Sequence, residues 1–360
     1  MKKTALISGA SIAGLTMAYW LNRLGYKVTV IEISSEPRKG GSPIDVRGEA
    51  VHVAERMGIL DKIKAVKITT AIEFVNVQNK CIARIKQIGD DISGQDIELH
   101  RNHLIGIIYE AATQEVEYLF NNRIDTIHQN INSVTVTFKD GPGRNFDFVF
   151  GADGIHSIVR KLVFGDEEFF KQFFGAYFAI LKADESLEKQ NTGQMFNMPN
   201  KMAAINDKGN SILLFRSPKL NFDYRNDANF KQILKENFAN CDWKIPGILT
   251  AMANSDNLYF DEICQIKMPS WTNGRIALIG DAAHCAGFPT GMGTSLAMQG
   301  ATMLADELVA SNGDYNTAFS KYNNVFSPIV EAVQETIVDG LSFLVPETEE
   351  EIKVRNEMMN

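Results

Sequence analysis

Thr4-Ala5-Leu6-Ile7-Ser8-Gly9-Ala10-Ser11-Ile12-Ala13-Gly14 is the stretch on which the fold turns. An apolar run ends abruptly at glycine and small residues in the pattern G-x-S-x-x-G. Helical spacing follows, with Met17, Trp20, Leu21 and Leu24 on one face and Gly25 as the stop. Lys27 to Ile31 is β-branched and reads as a second strand ending at Glu32. Strand, glycine turn, helix and strand make a βαβ unit. A turn that binds a dinucleotide needs glycine for the bend and small residues where backbone approaches the pyrophosphate. The helix behind it aims free N–H groups at the phosphates. Ser11 occupies the usual second glycine. Glu32 stands where a carboxylate accepts hydrogen bonds from ribose hydroxyls and repels a 2′-phosphate, which argues against NADPH at this turn. A tight βα turn without a ligand is the plainer alternative.

Two later segments repeat the theme. Phe146 to Phe150 reads as a strand running into Gly151-Ala152-Asp153-Gly154-Ile155-His156-Ser157-Ile158-Val159-Arg160, which opens a helix. Ile276 to Ile279 runs into Gly280-Asp281-Ala282-Ala283-His284, then Pro289-Thr290-Gly291-Met292-Gly293 and a helical stretch to Leu308. An Asp at a strand end can bind a sugar hydroxyl, and glycines at a helix start let N–H groups face an electron-rich ring. Each segment also reads as an Asp N-cap or a glycine turn. Three in this order point to one dinucleotide cofactor.

Between them, helical spacing runs from Val51 to about Ile63 and from Arg101 to about Phe120. Residues 71–87 alternate as a strand pair around Asn79-Lys80, and Val134, Val136 and Phe138 alternate before the turn at 140–143. Strands are expected near 172–181, 202–205, 211–216 and 258–266, with helices at 228–238 and 247–253. Pro346 followed by acids suits a helical first turn. The predicted class is α/β: a Rossmann-like dinucleotide-binding domain with an inserted mixed β-sheet substrate domain and C-terminal helices. Its pieces are 1–70, 96–168 and 267–330 for the cofactor, 71–95 and 169–266 for the substrate, and 331–360 as a helical segment.

The 360 residues suffice for one large or two intimately packed domains. Lys plus Arg is 36 against 44 Asp plus Glu, a net charge of −8, which argues against nucleic acid as partner. The four cysteines lack metal or redox spacing and read as reduced thiols. The start imitates a signal peptide but breaks at Ser8-Gly9, and no apolar run is long enough for a membrane helix. A cytoplasmic monomer is expected. The six histidines show no metal spacing, so no metal is expected, and His156 and His284 read as packing residues. The 22 phenylalanines suit an apolar ring pocket or an ordinary core equally.

The three segments in order resemble the class A FAD-dependent monooxygenases, the family of para-hydroxybenzoate hydroxylase, and within it the tetracycline destructases. The likeness implies that Gly9, Ser11, Gly14, Glu32, Asp45, Arg101, Asp153, Asp281, Gly291 and Gly293 hold FAD. It implies that Arg38 and Arg160 meet NADPH or NADH as a transient reductant, and that Gln194 faces the substrate. Arg216, at the end of an apolar strand, is a candidate substrate contact or a surface residue. Reduced flavin and O2 would carry the chemistry, so no catalytic side chain is assigned. The partners implied are O2 and a small aromatic or polyketide-like molecule, with tetracycline-type antibiotics a specific case. Where the family commonly has G-Q-G-x-N, this chain has Gly291-Met292-Gly293-Thr294-Ser295. A flavoprotein reductase that transfers no oxygen and a non-enzymatic FAD binder remain the other readings.

Overall fold

The computed structural model describes residues 2–37, 42–68, 71–85, 96–112, 115–182, 185–206, 210–222, 227–255 and 258–359. A six-stranded sheet runs in the order β17 (Thr272–Asn273), β18 (Ile276–Leu278), β11 (Phe148–Gly151), β1 (Thr4–Ser8), β2 (Lys27–Ile31) and β7 (Glu117–Leu119). Every pair is parallel except β17–β18. Ala5, Leu6 and Ile7 are fully buried, as the continuous apolar runs of a parallel sheet require. α1 (Ile12–Arg23) packs on α4 (Arg101–Ala112) and α9 (Gly293–Ala310), and α10 (Tyr315–Glu335) lies on α9. A three-stranded antiparallel sheet of β8 (Ile124–Gln129), β9 (Val134–Phe138) and β10 (Arg144–Phe146) joins the same core through Val134, Val136 and Phe138. A ribbon of β3 (Pro43–Val46) and β6 (Ile97–His100), followed in the first case by α2 (Glu49–Arg56) and α3 (Leu60–Ala65), closes the far end.

The second large sheet has seven strands: β16 (Leu258–Ile266), β12 (Lys171–Lys182), β15 (Asn210–Arg216), β14 (Lys201–Ile205), β13 (Thr192–Met198), β4 (Ala71–Val75) and β5 (Cys81–Ile85). One face carries Tyr177, Phe196, Phe215 and Phe260 under α6 (Asp227–Phe238) and α7 (Ile245–Ala253). Tyr177 stacks on Phe260 at 5.8 Å and on Phe215 at 5.6 Å. The other face carries Phe178, Met202, Leu214 and Ile263 against Ile337 and Leu341 of α11 (Ile337–Leu344). Phe178 also stacks on Phe288 at 4.7 Å, which brings this face to the third glycine segment. The phenylalanines are thus divided among the two faces of this sheet and the core around the parallel sheet. The remaining helices are α5 (Ile158–Phe164), α8 (Asp281–His284) and α12 (Glu349–Met358). α12 starts in a capping box between Thr348 and Glu351, which satisfies two N–H groups reciprocally.

Three local expectations change. The helix opened by Arg101 stops at Ala112, and the chain turns into β7, which extends the parallel sheet through β2. The long helix expected from Val51 is broken at Gly58, whose φ of +70° ends the helical path and leaves α2 and α3. β13 escaped detection because Thr192, Gly193, Gln194 and Phe196 are all buried, so its sequence shows no polar–apolar alternation. No helix among the described residues is long and apolar enough to cross a membrane.

Candidate functional site

The C-terminal ends of β1, β2, β11 and β18 carry Gly9, Glu32, Asp153 and Asp281, so the three glycine segments converge on one edge of the parallel sheet. Ligands of such sheets bind there, because helix N-termini and free backbone groups gather at that edge. Gly9 has φ +106°, and a Cβ on it would overlap Ala152 O, so the first turn rests directly on the second segment. A Cβ on Gly14 would overlap Gly9 O, which fixes α1 against its own turn. Glu32 is held by the N–H of Ala10 at 2.8 Å and of Ser34 at 3.0 Å, which anchors its carboxylate beside the turn.

Ser11 is the N-cap of α1 but makes no capping hydrogen bond. Its Oγ instead accepts from Arg101 Nη2 at 2.7 Å. The first turn of α1 thus keeps a positive end without a side-chain cap, with a guanidinium next to it. Asp281 completes this group. It is exposed by area yet enclosed by protein, the combination found on the floor of a wide cleft. Desolvation raises its carboxyl pKa, and the Arg101 guanidinium opposes that rise.

At the far end, Arg47 pairs with Asp45 at 2.8 Å and approaches Asp96 at 3.6 Å. The N–H of Arg47 donates to Ser295 Oγ at 3.0 Å, tying β3 to the first turn of α9. Gly291 is left-handed at φ +64°, and a Cβ there would lie 3.6 Å from Arg47 Nη1; nothing lies within 4 Å of a Cβ on Gly293. The N-terminus of α9 has no side-chain cap and so faces open space. Asp45 Oδ1 is buried with no hydrogen-bond partner among the described residues. Asp45 and Glu98 stand opposite each other across β3 and β6. Burial and the Asp45 carboxylate push Glu98 up to about 7. Arg47, Asp96 and Glu98 went unnoticed in the sequence, although the arginine two residues beyond Asp45 on a strand was a usable signal.

Other expected residues lie elsewhere. Asp153 accepts from Ser157 Oγ and from the N–H groups of Ile158 (2.9 Å) and Val159 (3.1 Å), so it caps α5. Arg160 is fully buried, donating to Ala282 O at 2.9 Å, to Ile155 O and to Glu167 at 3.0 Å, which leaves its guanidinium turned inward rather than toward a passing reductant. Gln194 lies on the α7 side of its sheet, where its Oε1 accepts from Lys244 at 2.6 Å; the neighbouring Met195 takes the face toward Phe178. Arg216 donates to Val345 O at 2.9 Å and pairs with Glu347, binding the C-terminal segment. Arg38 lies outside the described residues. His284 is buried among Trp271, Tyr322 and Phe326, and burial lowers its pKa to about 4, so it packs as a neutral ring.

The donor set fits FAD. An anchored carboxylate, an uncapped helix end with an arginine, an aspartate on the cleft floor and a second uncapped helix end lie along one sheet edge. The FAD binding domain family matches residues 2–335. A flavin-dependent monooxygenase from an unknown prokaryotic organism is 38% identical over 92% of this chain and 87% of its own. A flavin-dependent monooxygenase of Legionella longbeachae is 37% identical over 92% and 86%. The crystal structure of tetracycline destructase Tet(51) superposes with a TM-score of 0.88 at 33% identity, covering 100% of this chain and 96% of that one. A structure of HpxO with FAD and uric acid, at 19% identity and a TM-score of 0.75, shares the fold. The chain belongs to the FAD binding domain family and, within it, to the class A FAD-dependent monooxygenases.

Proposed function

We propose that the protein holds FAD along the cleft, takes reducing equivalents from NADPH or NADH, and places one oxygen atom of O2 on an aromatic or polyketide-like small molecule. Tetracycline-type antibiotics belong to that class, and Tet(51) at 33% identity supports their inclusion. The observation that carries the reading is the line from Glu32 through Ser11, Arg101 and Asp281 to Arg47, Ser295 and Gly291. Glu32 suits the ribose, the α1 end with Arg101 and Asp281 suits the pyrophosphate and ribityl chain, and the α9 end with Asp45, Gly291 and Gly293 suits the flavin ring.

Bound FAD supplies the redox and oxygen chemistry. The protein's share is positioning and exclusion of water. The seven-stranded sheet roofs the cofactor held at the end of the six-stranded one, and Phe178 stacked on Phe288 makes the meeting of the two apolar. Arg160 and Gln194 take no ligand-contact role in this reading, because other protein groups already engage them. A panel of phenols and polyketides, tetracyclines included, tests it by stimulated NAD(P)H oxidation together with product mass. A gain of one oxygen is expected. Consumption of O2 that ends wholly as free peroxide with every compound would favour a non-oxygenating reductase.

A further inference from the structure

The second glycine segment meets the seven-stranded sheet through charges that the cofactor reading does not use. His156 Nδ1 lies 3.1 Å from Glu167, just before β12, and its Nε2 lies 3.4 Å from Asp261 on β16. Glu167 also receives Arg160 at 3.0 Å and Lys171 at 2.8 Å, and Lys171 continues to Glu262. Tyr259 donates to Asp261 at 2.9 Å. Asp261 and Glu262 are 3% and 5% exposed, too buried for unbalanced charge.

A protonated His156 balances its ionised partners. Arg160 and Lys171 supply two cations against the three carboxylates Glu167, Asp261 and Glu262. An imidazolium at His156 makes the set neutral. Asp153 also acts on Arg160, but its carboxylate is already bonded to the start of α5. Asp281, the Tyr177 phenol beside Glu262 and Lys171, and the thiols of Cys264 and Cys285 also belong to the titratable neighbourhood.

The location gives the network a consequence. Asp261 and Ile263 fall on the same face of β16, the one turned toward Phe288 and the third segment. Arg160 carries the connection to Ala282, next to Asp281. Among the described residues β16 is the edge strand of its sheet, with β12 as its one strand neighbour. We propose that His156 is an electrostatic clasp, its imidazolium shared between Glu167 and Asp261, which fastens the β12–β16 edge down over the cofactor cleft. It is a positioning residue that touches neither cofactor nor substrate, and it decides how tightly that edge excludes water.

The His156 pKa is pushed up to about 9, because the hydrogen bonds and charges of Asp261 and Glu167 overcome desolvation. A base with a raised native pKa gives its full contribution below the unfolded value of about 6.5 and loses it as pH climbs through about 9.

Hydrogen exchange of the cofactor-free protein tests the clasp without relying on turnover. At pH 7, His156→Gln should exchange β12 and β16 about tenfold faster than wild type, while β1, β2 and β11 stay protected. After correction for intrinsic rates, wild type should approach the variant as pH rises through 9, and the variant should stay flat. Asp261→Asn should reproduce the effect, and the double variant should add little. Asp261→Asn also serves in place of His156→Gln if that variant does not fold. Equal protection of β16 at pH 7 in both variants and wild type would overturn the proposal, as would uniform loss across both sheets. In the loaded enzyme, resting on the oxygen-transfer reading, the share of O2 leaving as peroxide should rise several-fold.

Discussion

Arg101 donates to Ser11 Oγ at 2.7 Å, joining the start of α4 to the uncapped end of α1. The serine that departs from the glycine pattern thereby fixes a guanidinium where α1 points its N–H groups. A charge-assisted hydrogen bond contributes about 1.5–3 kcal/mol.

Replacing Arg101 by Ala should therefore weaken FAD binding by roughly 10- to 100-fold. Ser11→Ala keeps the cation and should cost much less. Flavin fluorescence titration of the two apoproteins checks the order, and equal losses would remove Arg101 from the cofactor reading.

Asp281→Asn should lower FAD retention after gel filtration while leaving the fold intact by circular dichroism. Desolvation raises the pKa of this carboxyl above its usual 3.8, so wild type should begin to lose flavin at a higher pH than the titration of an ordinary aspartate would give. Unchanged retention in the variant would refute the role given to Asp281.

Gly14→Ala would press a methyl group onto Gly9 O inside the first turn. Overpacking of this kind costs about 1–3 kcal/mol or more. Thermal unfolding should shift down by several degrees, and FAD should fail to restore it fully, because the turn that receives it is displaced.

Glu98→Gln should flatten the stability profile between about pH 4.5 and 7. In wild type the folded state keeps the Glu98 proton up to about 7, whereas the unfolded chain releases it near 4.5, so stability falls as pH rises across that window. Urea unfolding at pH 5 and pH 8 measures the difference. The variant should gain on wild type at pH 8.

The sequence disclosed what local chemistry fixes. The positions of Gly9, Glu32 and Asp281 at strand ends were legible because the strands and turns that carry them are local features, although Asp153 at a similar place caps α5. Arg47 and Glu98 were not legible, because their meaning comes from the register of β3 on β6, strands far apart in the chain. Gln194 shows the opposite risk: one residue along a strand reverses the face, and Met195 took the position toward Phe178. Arg160 read as a reductant contact through the family likeness, whereas here it is fully buried, as arginines seldom are. Only the fold reveals the carbonyls and the carboxylate it satisfies.

α11 begins just past the residues matched by the family model, yet it forms one side of the apolar space beneath the roof. Gly340 lies so close to the turn at 288–290 that a Cβ on it would overlap Pro289 O. A side chain added at Gly340 would therefore be felt at the turn that leads to Gly291, although the two lie far apart in the chain.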